Sequence, residues 1–248
     1  MTTSSTRIAR VGLPHGLAAR AGLWVQAIGA ATALAAMGLD ALGLGWGAAS
    51  IVLYLVVAAC IITRITASHP HEAFGPANIV TLFRAGLVAL VAATLFAPAP
   101  SGDAAFLIGG LAFVILALDG VDGWLARRTG LSSTFGARFD LEIDALFVLV
   151  LSALAFTNDK AGAWVLLIGA MRYAFFFAGR LTPKLEAPLP DSMRRKAVCV
   201  IQIAALGLLL LPQVQPPHSV WIAAGALVLL AWSFAVDTLH LLRRPVDS

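Results

Sequence analysis

The chain has 248 residues, 60% of them Ala, Val, Ile, Leu, Met, Phe, Trp, Tyr or Cys and only 12% charged, with a mean hydropathy of +0.89. A soluble domain runs at about half apolar and about a quarter charged, so a soluble enzyme, a secreted scaffold and a disordered chain are excluded in favour of an all-α integral membrane protein. The net charge of +4 records orientation in such a chain and not nucleic-acid binding; Cys60 and Cys199 lie in apolar runs and make no disulfide framework.

Apolar stretches of about 20 residues, the length that crosses a hydrocarbon core of about 30 Å, recur eight times. The first two, 21–40 and 47–63, are separated by Gly43 and Gly45. A polar interval, 64–77, follows and contains Pro70 and Pro76. The remaining spans are 78–97, 104–127, 136–157, 161–180, 196–212 and 219–242, broken by Pro, Gly, Asn or Asp residues. This pattern predicts two units: residues 1–75, an N-terminal cytoplasmic segment and a two-helix hairpin, and residues 76–248, a six-helix domain. The first span, preceded by arginines, also resembles a secretory signal. Its apolar core exceeds the ~7–15 residues of such signals and runs on to a second hydrophobic stretch, so an uncleaved helix is expected.

With eight crossings the basic residues sort to one face. Arg7, Arg10 and Arg20 precede the first span, Arg64 follows the second, and Arg127, Arg128 and Arg138 surround the break after the fourth. Arg180, Lys184, Arg194, Arg195 and Lys196 surround the break after the sixth, and Arg243 and Arg244 follow the last. Lys160 alone falls in a loop of the opposite face. The positive-inside rule then predicts a multi-pass protein of the cell (inner) membrane with both termini cytoplasmic.

Of 13 acidic residues, five fall between Asp119 and Asp144: Asp119, Asp122, Asp140, Glu142 and Asp144. A carboxylate near the bilayer centre costs roughly 2.5–3.5 kcal/mol on insertion scales, so something positive must sit among them. Asp119 and Asp122 are three apart and Asp140 and Asp144 four apart, so each pair shares a helix face. Two antiparallel helices joined by a short turn would bring those faces together on the cytoplasmic side. Four converging carboxylates suit a hard cation, Mg²⁺ or Mn²⁺, with room for two ions. The competing reading is an interfacial salt-bridge network with Arg127, Arg128 and Arg138. Gly120, Gly123, Ala126 and Gly136 strip bulk from the faces beside the acids, which serves either close helix packing or the approach of a ligand to the backbone.

The stretch DGVDGWLARRTGLSSTFGARFDLEID, residues 119–144, resembles the signature of the CDP-alcohol phosphatidyltransferases: D-x-x-D-G-x-x-A-R, eight residues, then G-x-x-x-D-x-x-x-D. All eight specified positions match, at Asp119, Asp122, Gly123, Ala126, Arg127, Gly136, Asp140 and Asp144. Asn78, Thr81 and Arg84 in PANIVTLFR are similar to the N-x-x-T-x-x-R pattern that often opens the first core helix of this family; a helix start with a snorkelling arginine explains the same residues. The resemblance covers residues of about 76 to 242 and implies a six-helix core, usually dimeric. The two helices before it are an addition.

The resemblance implies transfer of a phosphatidyl group from CDP-diacylglycerol to a polar alcohol with release of CMP. By the same resemblance Asp119, Asp122 and Asp140 are the principal metal ligands, and Asp144 is the general base, also near the metal. Asn78, Thr81, Arg84, Gly123, Ala126, Arg127 and Gly136 would serve the cytidine diphosphate; Glu142, which points differently on its helix, would either support the ligands from behind or pair with an arginine. A phosphorylated acceptor, glycerol 3-phosphate or an inositol phosphate, is suggested by Arg172 within an apolar helix and by Arg138, Arg194, Arg195 and Lys196, since guanidinium groups bind phosphate through paired hydrogen bonds; the competing reading pairs Arg172 with a carboxylate and sets the 194–196 run against anionic lipid headgroups. Ala145 departs from the Lys or Arg that members with such acceptors often carry after the fourth Asp. The alternative class is a transporter or ion carrier using the intramembrane aspartates, although a carrier would scatter its polar residues along several helices near the midplane.

Overall fold

The computed structural model describes residues 15–41, 46–68, 75–100, 102–129, 133–182, 185, 187, 189, 190 and 192–243, apart from the side chains of 15–20, 41, 61–68 and 134. The positions of Arg7, Arg10, Lys184 and Arg244, the side chains of Arg20 and Arg64, and the breaks at Gly43, Gly45 and Pro70 lie outside the described residues.

Among the described residues there are eight α-helices: α1 (His15–Ala41), α2 (Gly47–Ser68), α3 (Pro76–Ala93), α4 (Asp103–Thr129), α5 (Thr134–Thr157), α6 (Leu166–Leu181), α7 (Met193–Leu209) and α8 (His218–Leu242). Short 3-10 turns extend α3 (Thr94–Phe96) and lead into α6 (Ala163–Val165). Five segments are long and apolar enough to cross a membrane: Ala21–Asp40, Pro76–Phe96, Asp103–Thr129, Ala163–Leu181 and His218–Leu242. The other three helices differ for local reasons. The apolar part of α2 is the shorter Gly47–Cys60, α5 carries Asp140, Glu142 and Asp144 in its first half, and α7 is 17 residues long with three basic residues in its first turn.

The predicted spans match these helices closely, with the main differences at the hairpin. There α1 begins at His15 instead of 21, and α2 runs to Ser68 instead of ending at 63. The tail of α2, TRITAS, is polar, and a hydropathy reading stops where the helix does not.

α3 is the spine of the molecule. It packs against α1, α2, α4 and α5, and about two thirds of its span is buried, against about a quarter or less for the outer helices α1, α6 and α8. Its small residues, Ala85, Gly86, Ala89, Ala92 and Ala93, permit that density of neighbours. At Gly86 an added Cβ would stand 2.5 Å from Thr32 Oγ1 of α1, so the α1–α3 contact requires a glycine there. Across the hairpin the Tyr54 hydroxyl donates to the Val25 carbonyl at 2.7 Å, and the Asp40 carboxylate accepts from the Gly47 amide at 2.9 and 3.0 Å, capping the start of α2.

α7 packs against α4, α5 and α8. Gln202 Nε2 donates to the Ala226 carbonyl at 2.8 Å, tying α7 to α8. At the far end of the bundle from the acidic cluster, Lys160 is buried; its Nζ donates to the carbonyls of Leu211 (3.2 Å) and Val214 (2.8 Å), while its own carbonyl accepts from Ser219 Oγ at 2.6 Å. Burial holds its ammonium below the usual lysine pKa. This knot joins the α5–α6 and α7–α8 connections and fixes the closed end of the bundle.

Candidate active site

The acidic residues occupy the C-terminal part of α4 and the N-terminal part of α5. A side-chain cap starts α5: Ser133 Oγ accepts from the Gly136 amide at 2.9 Å. Gly136 then lies against α3, where an added Cβ would be 2.7 Å from Asn78 Oδ1 and 3.3 Å from Ser133 Oγ. Any side chain at 136 would push Asn78 away, which explains the glycine sterically.

The two acidic helices do not meet face to face as the sequence suggested. α3 and α7 each pack against both α4 and α5, and α4 and α5 make little direct contact with each other. The carboxylates converge instead on one side chain from α3. Arg84 Nη1 lies 3.0 Å from Asp119 Oδ1, 2.8 Å from Asp122 Oδ2 and 2.7 Å from Asp140 Oδ1, and Nη2 contacts Asp144 Oδ1. Arg84 is fully buried, which excludes the snorkelling alternative. One helical turn earlier, Thr81 Oγ1 donates to Asp122 Oδ2 at 3.1 Å. Thr81 and Arg84, three residues apart on one face, thus reach the same carboxylate.

The positive group the acids required comes from 35 to 60 residues away in sequence, not from the neighbouring arginines. Arg127 and Arg138 are exposed, and Arg128 stacks its guanidinium 5.0 Å from the centroid of the Trp124 ring. The Arg127 guanidinium is the nearest group to Gly123, 3.4 Å from where a Cβ would stand, and nothing lies within 4 Å of such a position at Gly120. Ala126 is half-buried on the same helix.

Exposure within the cluster is graded. The side chain of Asp122 is 4% exposed, that of Asp144 13%, that of Asp119 23% and that of Asp140 37%. Asp119, Asp140 and Asp144 each offer a carboxylate oxygen within 4.8 Å of the others, a ligand set for a metal ion. Asp122 sits deeper, held by Thr81 and Arg84. One guanidinium facing four carboxylates leaves the cluster strongly anionic, and the all-oxygen donor set is that of a hard divalent cation, so these residues fit Mg²⁺ or Mn²⁺.

The remaining arginines hold partners other than these four carboxylates. Arg172 Nη2 pairs with Glu142 Oε1 at 3.2 Å, which selects the arginine-partner role for Glu142 and gives Arg172 the carboxylate of the competing reading. Arg194 Nη1 donates to Ser233 O (2.6 Å) and Oγ (2.5 Å), its Nη2 meets Asp237 Oδ1 at 2.5 Å, and Trp232 lies 5.7 Å from its guanidinium carbon. Arg195 shares Asp237 at 3.3 Å and donates to the Pro190 carbonyl. Asp237 escaped the sequence reading. Its signal was present, a lone buried acid in the apolar α8, which demands a cationic partner in a membrane helix.

The geometry meets its counterpart in known proteins. The profile of the CDP-alcohol phosphatidyltransferase family matches residues 74–236, and the chain belongs to that family. It is therefore a phospholipid-synthesising transferase. Among similar proteins is the "Probable phosphatidylglycerophosphate synthase" of Mycobacterium tuberculosis, in strains CDC 1551 / Oshkosh and ATCC 25618 / H37Rv. Each is 30% identical over 157 residues, covering 62% of this chain and 75% of the relative. No solved structure matches the chain.

Proposed function

We propose that this protein transfers the phosphatidyl group of CDP-diacylglycerol to a phosphorylated alcohol, with glycerol 3-phosphate the first choice and an inositol phosphate the second, and releases CMP. The observation that carries the reading is the convergence of Asp119, Asp122, Asp140 and Asp144 from two helices at one end of the bundle. The name of the mycobacterial relative supports the choice of glycerol 3-phosphate.

Asp119, Asp122 and Asp140 would hold the cations, with Asp144 reaching the same place. Bound as a pair, Mg²⁺ or Mn²⁺ would neutralise the diphosphate and the charge that develops on the departing CMP. The Asp144 carboxylate takes the proton from the acceptor hydroxyl as its oxygen bonds to the phosphatidyl phosphorus. The bond from that phosphorus to the bridging oxygen breaks, and the electron pair leaves with CMP. Gly123 and Ala126 keep α4 slim beside the cytidine end, and Gly136 makes the room that seats Asn78; Asn78, Thr81, Arg84 and Arg127 would supply polar contacts to the cytidine diphosphate. Arg172, Arg194, Arg195 and Arg138 would neutralise the acceptor phosphate. Ala145 is buried, so a cationic side chain at that position would not replace theirs without repacking α5.

The same reading takes all eight helices as crossings of the inner membrane, with both termini and the site on the cytoplasmic side, a catalytic unit of residues 76–248, and a homodimer. It is supported by the apolar outer faces of the helices and by the basic residues at the site end of α4, α6 and α7. Acyl chains then stay in lipid while a water-soluble acceptor arrives from the cytosol. Carrier function loses its ground, because the four acids crowd at one end and family membership supplies their chemistry.

The test is incubation of the purified protein in detergent with CDP-diacylglycerol and a panel of glycerol 3-phosphate, inositol phosphate, serine and choline, with the lipid product identified by mass spectrometry. Phosphatidylglycerophosphate with equimolar CMP is expected. Turnover of serine or choline with both phosphorylated alcohols inert would overturn the acceptor, and absence of CMP release with all four would overturn the reaction.

A further inference from the structure

The role of Arg84 in the cluster goes beyond neutralisation. A guanidinium Nη carries two hydrogens. Arg84 Nη1 nevertheless has three carboxylate oxygens within 3.0 Å, from Asp119, Asp122 and Asp140. It cannot hydrogen-bond all three well at once, so at least one contact is a charge contact alone. The Nε of the same side chain is buried with no partner among the described residues. A fully buried arginine held this way acts as a point cation at the focus of the carboxylates.

Nη1 and Nη2 contact all three carboxylates of the candidate metal ligand set, those of Asp119, Asp140 and Asp144. A guanidinium and a divalent ion drawn to the same three carboxylates repel each other and compete for them. We propose that Arg84 is a resident counter-cation that occupies the carboxylate cage when no metal is bound, and that metal loading is an exchange in which the ion displaces the guanidinium. The proposal rests on the metal-dependent transferase reading above and deepens it.

The exchange answers a physical problem. Four carboxylates left unpaired within a membrane helix bundle would be costly enough to disrupt the fold before any metal arrived. A tethered guanidinium keeps them together at all metal concentrations. The exposure gradient sets where the ion enters: Asp140 and Asp119 are the open edge, while Asp122 is closed off and bound to Thr81 as well. Displacement therefore begins at Asp140 and Asp119, and Asp122 is the last carboxylate for Arg84 to give up. The displaced guanidinium becomes available to an anionic diphosphate.

The exchange predicts an effect opposite in sign to that of a positioning salt bridge. Metal-stripped native protein, Arg84→Gln and Arg84→Lys are titrated with Mn²⁺ in detergent, and free Mn²⁺ is read by electron paramagnetic resonance, with no turnover involved. Removing the competing charge should tighten Mn²⁺ binding in Arg84→Gln by at least about tenfold, and Arg84→Lys should stay closer to the native protein. Unchanged or weaker binding in Arg84→Gln would overturn the exchange while leaving the transferase reading in place. No Mn²⁺ binding by the native protein at millimolar concentration would overturn both. Should Arg84→Gln fail to fold, structures of the native protein with and without Mn²⁺ decide the matter. Arg84 withdrawn from Asp119 and Asp140 in the Mn²⁺ form supports the exchange, and Arg84 still touching all four carboxylates beside the bound ion refutes it.

Discussion

Gly136→Ala separates the packing role of a small residue from its role toward substrate. The position is the third of α5, where the amide donates to the Ser133 cap, and an added Cβ would come within 2.7 Å of Asn78 Oδ1 and 3.3 Å of Ser133 Oγ. Replacing Gly by Ala in a helix gains about 1 kcal/mol. Disturbing the cap loses about 0.5–2 kcal/mol at most, and rotating Asn78 out of place sacrifices about 0.5–1.5 kcal/mol more. The losses match or exceed the gain, by up to about 2.5 kcal/mol, so the melting temperature in detergent should fall modestly. Activity should fall further than the lost stability explains: Asn78, which Gly136 seats, is a proposed nucleotide contact, and a fall in kcat/KM for CDP-diacylglycerol of at least about tenfold corresponds to only about 1.4 kcal/mol of lost transition-state binding. Gly120→Ala is the control. A Cβ there meets nothing within 4 Å, so the variant should gain about 0.5–1 kcal/mol of stability with kinetics unchanged. Native kcat/KM in Gly136→Ala, measured by CMP release, would remove Gly136 and Asn78 from the substrate side.

Asp144→Asn should abolish transfer while leaving much of the CDP affinity intact, measured by nucleotide binding beside CMP release; full activity in this variant or in excess EDTA refutes the assigned chemistry. Arg172→Gln combined with Arg194→Gln should raise the KM of the phosphorylated acceptor far more than that of CDP-diacylglycerol, and equal changes in both would place these arginines outside the acceptor site. A chain beginning at Pro76 should bind Mn²⁺ with a lowered melting temperature, because α1 and α2 cover α3. Loss of CMP release from that protein when circular dichroism shows it folded would give the hairpin a catalytic part.

The eight helices were legible because hydropathy over about 20 residues reports directly on burial in lipid or protein. The acids were legible for another reason: Asp119, Asp122, Asp140 and Asp144 lie on two adjacent helices, and i, i+3 and i, i+4 spacing assigns each pair to one face. Arg84 resisted the same logic. The requirement for a cation was clear, but nearness in sequence pointed to Arg127, Arg128 and Arg138, whereas the contacts that count join α3 to α4 and α5 across 35 to 60 residues. Which helix lies between two others is decided by packing. A tripeptide spacing, Thr81 to Arg84, was its local trace, and it had a snorkelling explanation that only full burial of Arg84 removes. Asp237 was lost in the same way, its partners Arg194 and Arg195 lying on the preceding helix.

A helix that contributes no carboxylate therefore sets the geometry of a carboxylate site. α3 packs against both acidic helices, and Thr81 and Arg84 project from one of its faces while Gly86 lies against Thr32 on α1. The added hairpin thus bears on the helix that carries Arg84, two residues from it. In this arrangement the hairpin need contribute no group to the reaction to influence it. Any displacement of α3 relative to α1 would carry Arg84 with it, because Gly86 and Arg84 stand two residues apart on one helix. That dependence runs through the backbone of α3 and its close contact at Gly86, where a larger residue would force the two helices apart.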